Sequence, residues 1–233
     1  MVQQRAKVKT VRQVTKFDEN KKSISILPKT EKQGEYIKAI LGKEAQVVCF
    51  GPSGTGKTYV VASLAASLYH EKKIKRIIIT RPHVAVGDGI GFLKGDLREK
   101  TEPWALPVLD VLEEHLGKGV VETGIKNGNI EIAPMAMMRG RSFRDAFIIV
   151  DETQNISFEQ LKMLLTRVGE GSKIILNGDI MQSDLKGTDG LTTILSFIEK
   201  YDLPVPIVEF DVNDIVRSAL TKMWVEVFIK EGV

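Results

Sequence analysis

Short apolar runs punctuate the chain at Gln46–Phe50, Arg76–Thr80, Phe147–Val150, Lys173–Leu176 and Ile207–Phe210. They are rich in Val, Ile and Phe and show no polar alternation, the pattern of strands buried on both faces. The segments between them mostly repeat at the helical period. Tyr36, Ile37, Ile40 and Leu41 predict a helix from Thr30 that stops at Gly42. Leu64, Ala65 and Leu68 predict a helix over Val60–Tyr69. Phe158, Leu161, Leu164, Leu165 and Val168 predict another over Phe158–Val168, opened by a Ser157/Gln160 capping box and closed by Gly169. A last helix is expected from about Asn213 to Lys230, and Ser23–Ile26 alternates as a short edge strand closed by Pro28. Strands alternating with helices predict an α/β fold with a mostly parallel sheet flanked by helices. Pro82–Pro134, broken by glycines and prolines, reads as an elaborated insertion in which a substrate surface can be built.

Composition narrows the picture. With 233 residues, 43% hydrophobic and 27% charged, the chain can bury a sizeable core. No apolar run approaches the ~20 residues of a membrane helix, and the polar, basic start Met1–Lys7 has no secretion-signal pattern. One cysteine, Cys49, forbids an intramolecular disulfide, and His70, His83 and His115 lack zinc-ligand spacing, so a reducing cytoplasm is expected. Cys49 and the group Met135, Met137 and Met138 read as packing residues. The net charge of +3 is uneven: residues 1–43 hold eleven Lys/Arg against four Asp/Glu, leaving 22 against 26 in the remainder. The basic leader, residues 1–27, is either a phosphate-backbone contact or a solvated tail; residues 28–233 are expected to form a single domain.

The candidate chemistry begins directly after the first strand. Gly51-Pro52-Ser53-Gly54-Thr55-Gly56-Lys57-Thr58 matches the phosphate-binding loop G-x-x-x-x-G-K-[ST], set between a strand and a helix. Glycines let backbone N–H groups face phosphate oxygens, and the helix N-terminus adds partial positive charge. Lys57 would reach the β- and γ-phosphates and Thr58 would ligate Mg²⁺. The strand Phe147–Val150 ends in two carboxylates. Asp151 would hold the Mg²⁺ through water, and Glu152 would polarise the attacking water as general base, a role that favours hydrolysis over transfer to a small acceptor. Gly178-Asp179 with Gln182 follows the next strand, where Gln182 is either a γ-phosphate sensor or part of a plain turn. Arg139 and Arg141 flank Gly140 and would hold RNA or DNA phosphates, make subunit salt bridges, or simply carry surface charge.

These pieces, in this order, resemble the PhoH family of P-loop ATPases. The resemblance runs from about Pro28 to the C-terminal helix. It is carried by Pro28–Tyr36, the Gly51–Thr58 loop, Thr80-Arg81-Pro82, Gly91–Asp96, Met138–Arg141, Val150–Asn155, Leu164–Gly169, Gly178-Asp179 with Gln182, and Asp214–Ser218. It implies a RecA-like core similar to that of superfamily 1 helicases, with ATP and Mg²⁺ as ligands. It further implies that Gln33 reads adenine, that Arg81 touches a nucleic-acid backbone, and that Arg217 acts as a finger on a neighbour's γ-phosphate. With one phosphate loop per chain, such a finger implies a homo-oligomer, a ring such as a hexamer, with ATP at subunit interfaces. Two departures stand out: the short stretch ahead of the loop has no room for the ribonuclease domain of longer members, so nuclease activity is not expected, and position 153 is Thr where Ala is usual. The expected function is ATP hydrolysis coupled to RNA or single-stranded DNA. The alternative is an ATP-dependent oligomeric switch acting on a protein partner.

Overall fold

The computed structural model describes residues 24, 26–82, 97–183 and 189–231. Among them the chain runs α1 (Glu31–Leu41), β1 (Gln46–Phe50), α2 (Lys57–His70), β2 (Arg76–Thr80), α3 (Leu97–Leu116), α4 (Lys118–Lys126), β3 (Ile130–Ile132), β4 (Ala146–Val150), α5 (Phe158–Leu165), β5 (Lys173–Gly178), α6 (Gly190–Lys200), β6 (Ile207–Glu209) and α7 (Ala219–Glu231). The strands form one six-stranded sheet in the order β3-β2-β4-β5-β1-β6. Every pairing is parallel.

The both-face burial expected of the apolar runs is what the sheet displays. Successive residues enter opposite layers: Val47, Cys49, Ile77, Ile79, Phe147, Ile149 and Ile175 pack beneath α1, α2 and α3. Val48, Ile78, Ile148, Val150, Ile174 and Leu176 pack against α5 and α6. Among the described residues no helix is long and apolar enough to cross a membrane.

Several boundaries differ from the sequence reading, each for a tertiary reason. The Pro82–Pro134 segment holds α3, α4 and β3 within its described part. Pro103 and Pro107 lie inside α3, which nevertheless buries Ala105, Val108, Leu109, Leu112 and Leu116 along one face. That burial outweighs the loss of backbone hydrogen bonds. α5 keeps its capping box, but ends at Leu165 because Val168 is drawn into a bridge with Phe143. The last helix begins at Ala219 instead of Asn213. A 3₁₀ turn at Val212–Asp214 is closed by an Asp211/Asp214 capping box, and Val216 N–H then donates to Gly54 O at 3.1 Å, pinning the segment to the phosphate loop. α6, capped by Asp189, adds a helix that the sequence reading does not include. Of the expected edge strand Ser23–Ile26, Ile24 and Ile26 lie outside the sheet and pack on the core. The leader up to Ser23, with Ser25, and the Gly91–Asp96 block fall outside the described residues.

Candidate nucleotide site

The carboxyl ends of β1, β2, β4 and β5 open into a cavity of about 430 Å³, the place where open parallel sheets bind ligands. The Gly51–Thr58 loop forms its floor. Gly51 sits at φ +139°, and a Cβ there would come within 2.3 Å of Phe210 O, so only glycine fits. Gly56, at φ +84°, starts α2. Lys57 folds back over the loop, its Nζ donating to Gly51 O at 2.7 Å, Pro52 O at 2.8 Å and Thr55 Oγ1 at 3.3 Å. All three partners are neutral oxygens. Burial lowers the Lys57 pKa, and the carboxylates of Asp179, Asp151 and Glu152 pull it back up.

Thr58 Oγ1 donates to Asp151 Oδ1 at 3.0 Å. Asp151 is buried, and burial followed by the charge of Glu152 pushes its pKa up, against the pull of Arg81, Thr58 and Lys57. A bound cation would relieve the acid, and a bound polyphosphate would relieve the lysine; the site's charges therefore complement a metal-triphosphate. Thr58 and Asp151 are hard oxygen donors that suit Mg²⁺, which takes few protein ligands and completes its shell with phosphate and water oxygens. Among the described residues no three His, Cys, Asp or Glu side chains form a dedicated cage.

Glu152 turns off the end of β4 at φ +52°. Its Oε1 receives Arg81 Nη2 at 2.9 Å and its Oε2 receives Gln154 Nε2 at 2.7 Å. The β2–β4 register, Thr80 opposite Val150, places Arg81 beside the two acids. Arg81 also reaches Trp104 O at 3.4 Å. The residue expected to face a nucleic-acid backbone is thus ion-paired inside the cavity.

Gln182 lies exposed at the cavity rim, its backbone N–H on Asp179 O at 3.1 Å. Arg217 lines the cavity of its own chain. A Cβ on Gly54 would stand 3.3 Å from Arg217 Cδ, so the alkyl arm lies across the chain's own phosphate loop. Gln33 is buried, its Nε2 donating to Thr55 O at 2.9 Å and its Oε1 accepting from Lys29 N at 2.8 Å. Both ends of the expected adenine reader hold backbone groups, Thr55 O and Lys29 N. Arg141 forks onto Glu131 at 2.5 and 2.9 Å, shares it with Arg76, and covers the Phe143 ring, whereas Arg139 is exposed. Arg81 and Arg141 thus pair with different acids, Glu152 and Glu131.

Asp179 and Gln154 fall in the quoted blocks Gly178-Asp179 and Val150–Asn155, but the sequence reading gives neither of them a role. Asp179, raised in pKa by burial, lines the same cavity as Lys57. Gln154 is buried against Glu152; its place two residues after the Asp-Glu pair is the available signal.

A phosphate loop between strand and helix, facing an acid pair on a parallel strand, defines a P-loop NTPase fold. A solved structure shares it: the large terminase of a thermophilic bacteriophage superposes with a TM-score of 0.54 at 12% identity, over 85% of this chain and 50% of that one. The family model described as PhoH-like protein matches residues 25–229. The chain belongs to the PhoH family. It is 42% identical to the PhoH-like protein of Bacillus subtilis, over 91% of this chain and 67% of that one. It is 44% identical to Protein PhoH of Escherichia coli K12, over 84% and 56%. The chain thus spans between about half and two thirds of the length of these relatives.

Proposed function

We propose that this protein binds MgATP in the cavity, hydrolyses it, and couples hydrolysis to RNA or single-stranded DNA. The observation that carries the reading is the convergence of Lys57, the Thr58–Asp151 pair and Glu152 on one cavity. Lys57 and the loop N–H groups hold the phosphates; Thr58 and Asp151 hold Mg²⁺, which when bound neutralises phosphate charge. Glu152 accepts the proton of the attacking water, Gln182 senses the γ-phosphate at the rim, and Arg217 stabilises transition-state charge. The terminase supports the fold alone, so nucleic-acid coupling rests on the family resemblance and on the exposed Arg139.

A homo-oligomeric ring is supported by α7, which buries none of its described residues and exposes Leu220, Met223, Trp224 and Val227. A cytoplasmic setting is supported by the lone buried thiol of Cys49. One observation favours the alternative, an ATP-dependent switch acting on a protein partner: Arg81 and Arg141 both spend their charge within the chain.

Steady-state ATPase measurements, with Glu152→Gln as control, test the reading in the absence of polymer and with single-stranded RNA, single-stranded DNA or duplex at two salt concentrations. Turnover stimulated by one polymer at low salt and not at high salt is expected, because phosphate contacts weaken steeply with salt. Turnover at one rate regardless of polymer would favour the switch, and undiminished turnover by Glu152→Gln would overturn the assignment of the base.

A further inference from the structure

We propose that Gln154 is a positioning residue that fixes the Glu152 carboxylate and ties it to the β5–α6 connection; the proposal rests on Glu152 being the base. Gln154 sits in the short 3₁₀ turn Thr153–Asn155 after β4 and is 1% exposed. Its amide spans two groups. Oε1 accepts from Asp179 N at 3.0 Å, and Nε2 donates to Glu152 Oε2 at 2.7 Å. A backbone N–H can only donate, so the oxygen must face Asp179 and the NH₂ must face Glu152; the chemistry of the partners leaves no other orientation. The carbonyl of Gln154 accepts from Ser183 Oγ at 3.1 Å, adding a second link to the same connection. Gly178 makes room for the arrangement: a Cβ there would stand 3.1 Å from Gln154 Oε1 and 3.4 Å from Gln154 N.

The residue type follows from the task. Glutamate would keep the bond to Asp179 N–H but face Glu152 with a second carboxylate and no donor. Asparagine is one methylene short of spanning both partners, and leucine fills the space with neither bond. Glu152 itself has three side-chain torsions and a left-handed backbone, so its carboxylate is aimed by what holds it. Arg81 grips one oxygen and Gln154 the other. Asp179 and Ser183 flank Gln182, so a shift of that connection on meeting a γ-phosphate reaches Glu152 through two hydrogen bonds of one side chain.

The experiment is a double-mutant cycle. Gln154→Leu and Gln154→Glu are measured alone and on a Glu152→Gln background, by single-turnover ATP hydrolysis, by affinity for a non-hydrolysable ATP analogue, and by thermal unfolding. Each single variant is expected to lose about 10- to 100-fold in kcat, the scale of a catalytic group misplaced by an ångström. KM and analogue affinity should stay near wild type, and on the Glu152→Gln background the same changes should have no further effect. If Gln154→Leu does not fold, Gln154→Glu, nearly isosteric, carries the test. Equal losses on both backgrounds, or KM and kcat falling off together, would mean a merely structural role and overturn the proposal. Wild-type kcat in the Gln154 variants beside an inactive Glu152→Gln protein would also overturn it while sparing the proposed base. Full turnover by Glu152→Gln would instead remove the reading on which it rests.

Discussion

Replacing Gln33 with alanine separates two roles for this side chain, the brace the structure displays and the adenine reader the family resemblance implies. The substitution removes one hydrogen bond to Thr55 O and one to Lys29 N. Lys29 is exposed, so water replaces its lost acceptor. Thr55 is fully buried, and its carbonyl is left without a donor. An orphaned buried group costs about 1–3 kcal/mol. In a chain of this size each kcal/mol moves the unfolding midpoint by about 2–4 °C, so Tm should fall by roughly 2–12 °C. If binding must restore the order of the loop, the same energy returns as an affinity loss of about 5- to 150-fold. The loop touches phosphates whatever base they carry. Competition binding with ATP, GTP and inorganic tripolyphosphate, alongside scanning calorimetry, should therefore show all three weakened alike and Tm lowered. Weaker binding of ATP alone, with Tm and tripolyphosphate affinity unchanged, would refute the brace and return the amide to adenine.

Other substitutions test the rest of the site. Gly51→Ala must move Phe210 O out of a 2.3 Å contact and hold alanine at φ +139°, so Tm should drop steeply; an unchanged melting curve would contradict the loop geometry. Thr58→Ala removes the hydroxyl bonded to Asp151 and is expected to raise the Mg²⁺ concentration for half-maximal turnover with little change in Tm, whereas an unaltered Mg²⁺ dependence would exclude Thr58 as a ligand. Because the arm of Arg217 lies over the Gly54 of its own chain, mixtures of Arg217→Ala and Lys57→Ala subunits should stay inactive at every ratio. Recovered turnover would show that Arg217 works across an interface, as the resemblance implies. Arg81→Ala should change turnover even without polymer, since Arg81 is bonded to Glu152; an unaltered basal rate would detach it from the base.

What the sequence discloses is what neighbours in the chain decide. The strand, loop and helix around Gly51–Thr58 are contiguous, and the acids at 151 and 152 follow their own strand, so motif and context read together. The both-face burial of β1, β2, β4 and β5 is written in unbroken apolar runs. α6 carries a legible signal outside the sequence reading, an Asp189 cap with Leu191, Ile194 and Ile198 at helical spacing. α3 is hidden by Pro103 and Pro107, because local cost argues against a helix that packing along α2 nevertheless favours.

The site's working contacts belong to a different category. Arg81 meets Glu152 only because β2 pairs with β4 in a particular register, and Gln154 meets Asp179 only because β5 lies next to β4. No local pattern encodes either. The charges of the site stand as follows: Glu152 is ion-paired with Arg81, Asp151 is held by the Thr58 hydroxyl, and Lys57 has three neutral oxygens of its own loop. An acid whose pKa is raised by burial and a lysine whose pKa is lowered by it share one cavity, and neither takes the other as a hydrogen-bond partner. A ligand bringing an anion to Lys57 and a cation to Asp151 relieves both penalties at once, whereas a free anion or a free cation relieves one and worsens the other. The arrangement of these charges would therefore suit a metal and a triphosphate bound together better than either alone, and it is an arrangement that the residue types suggest and only their placement in three dimensions creates.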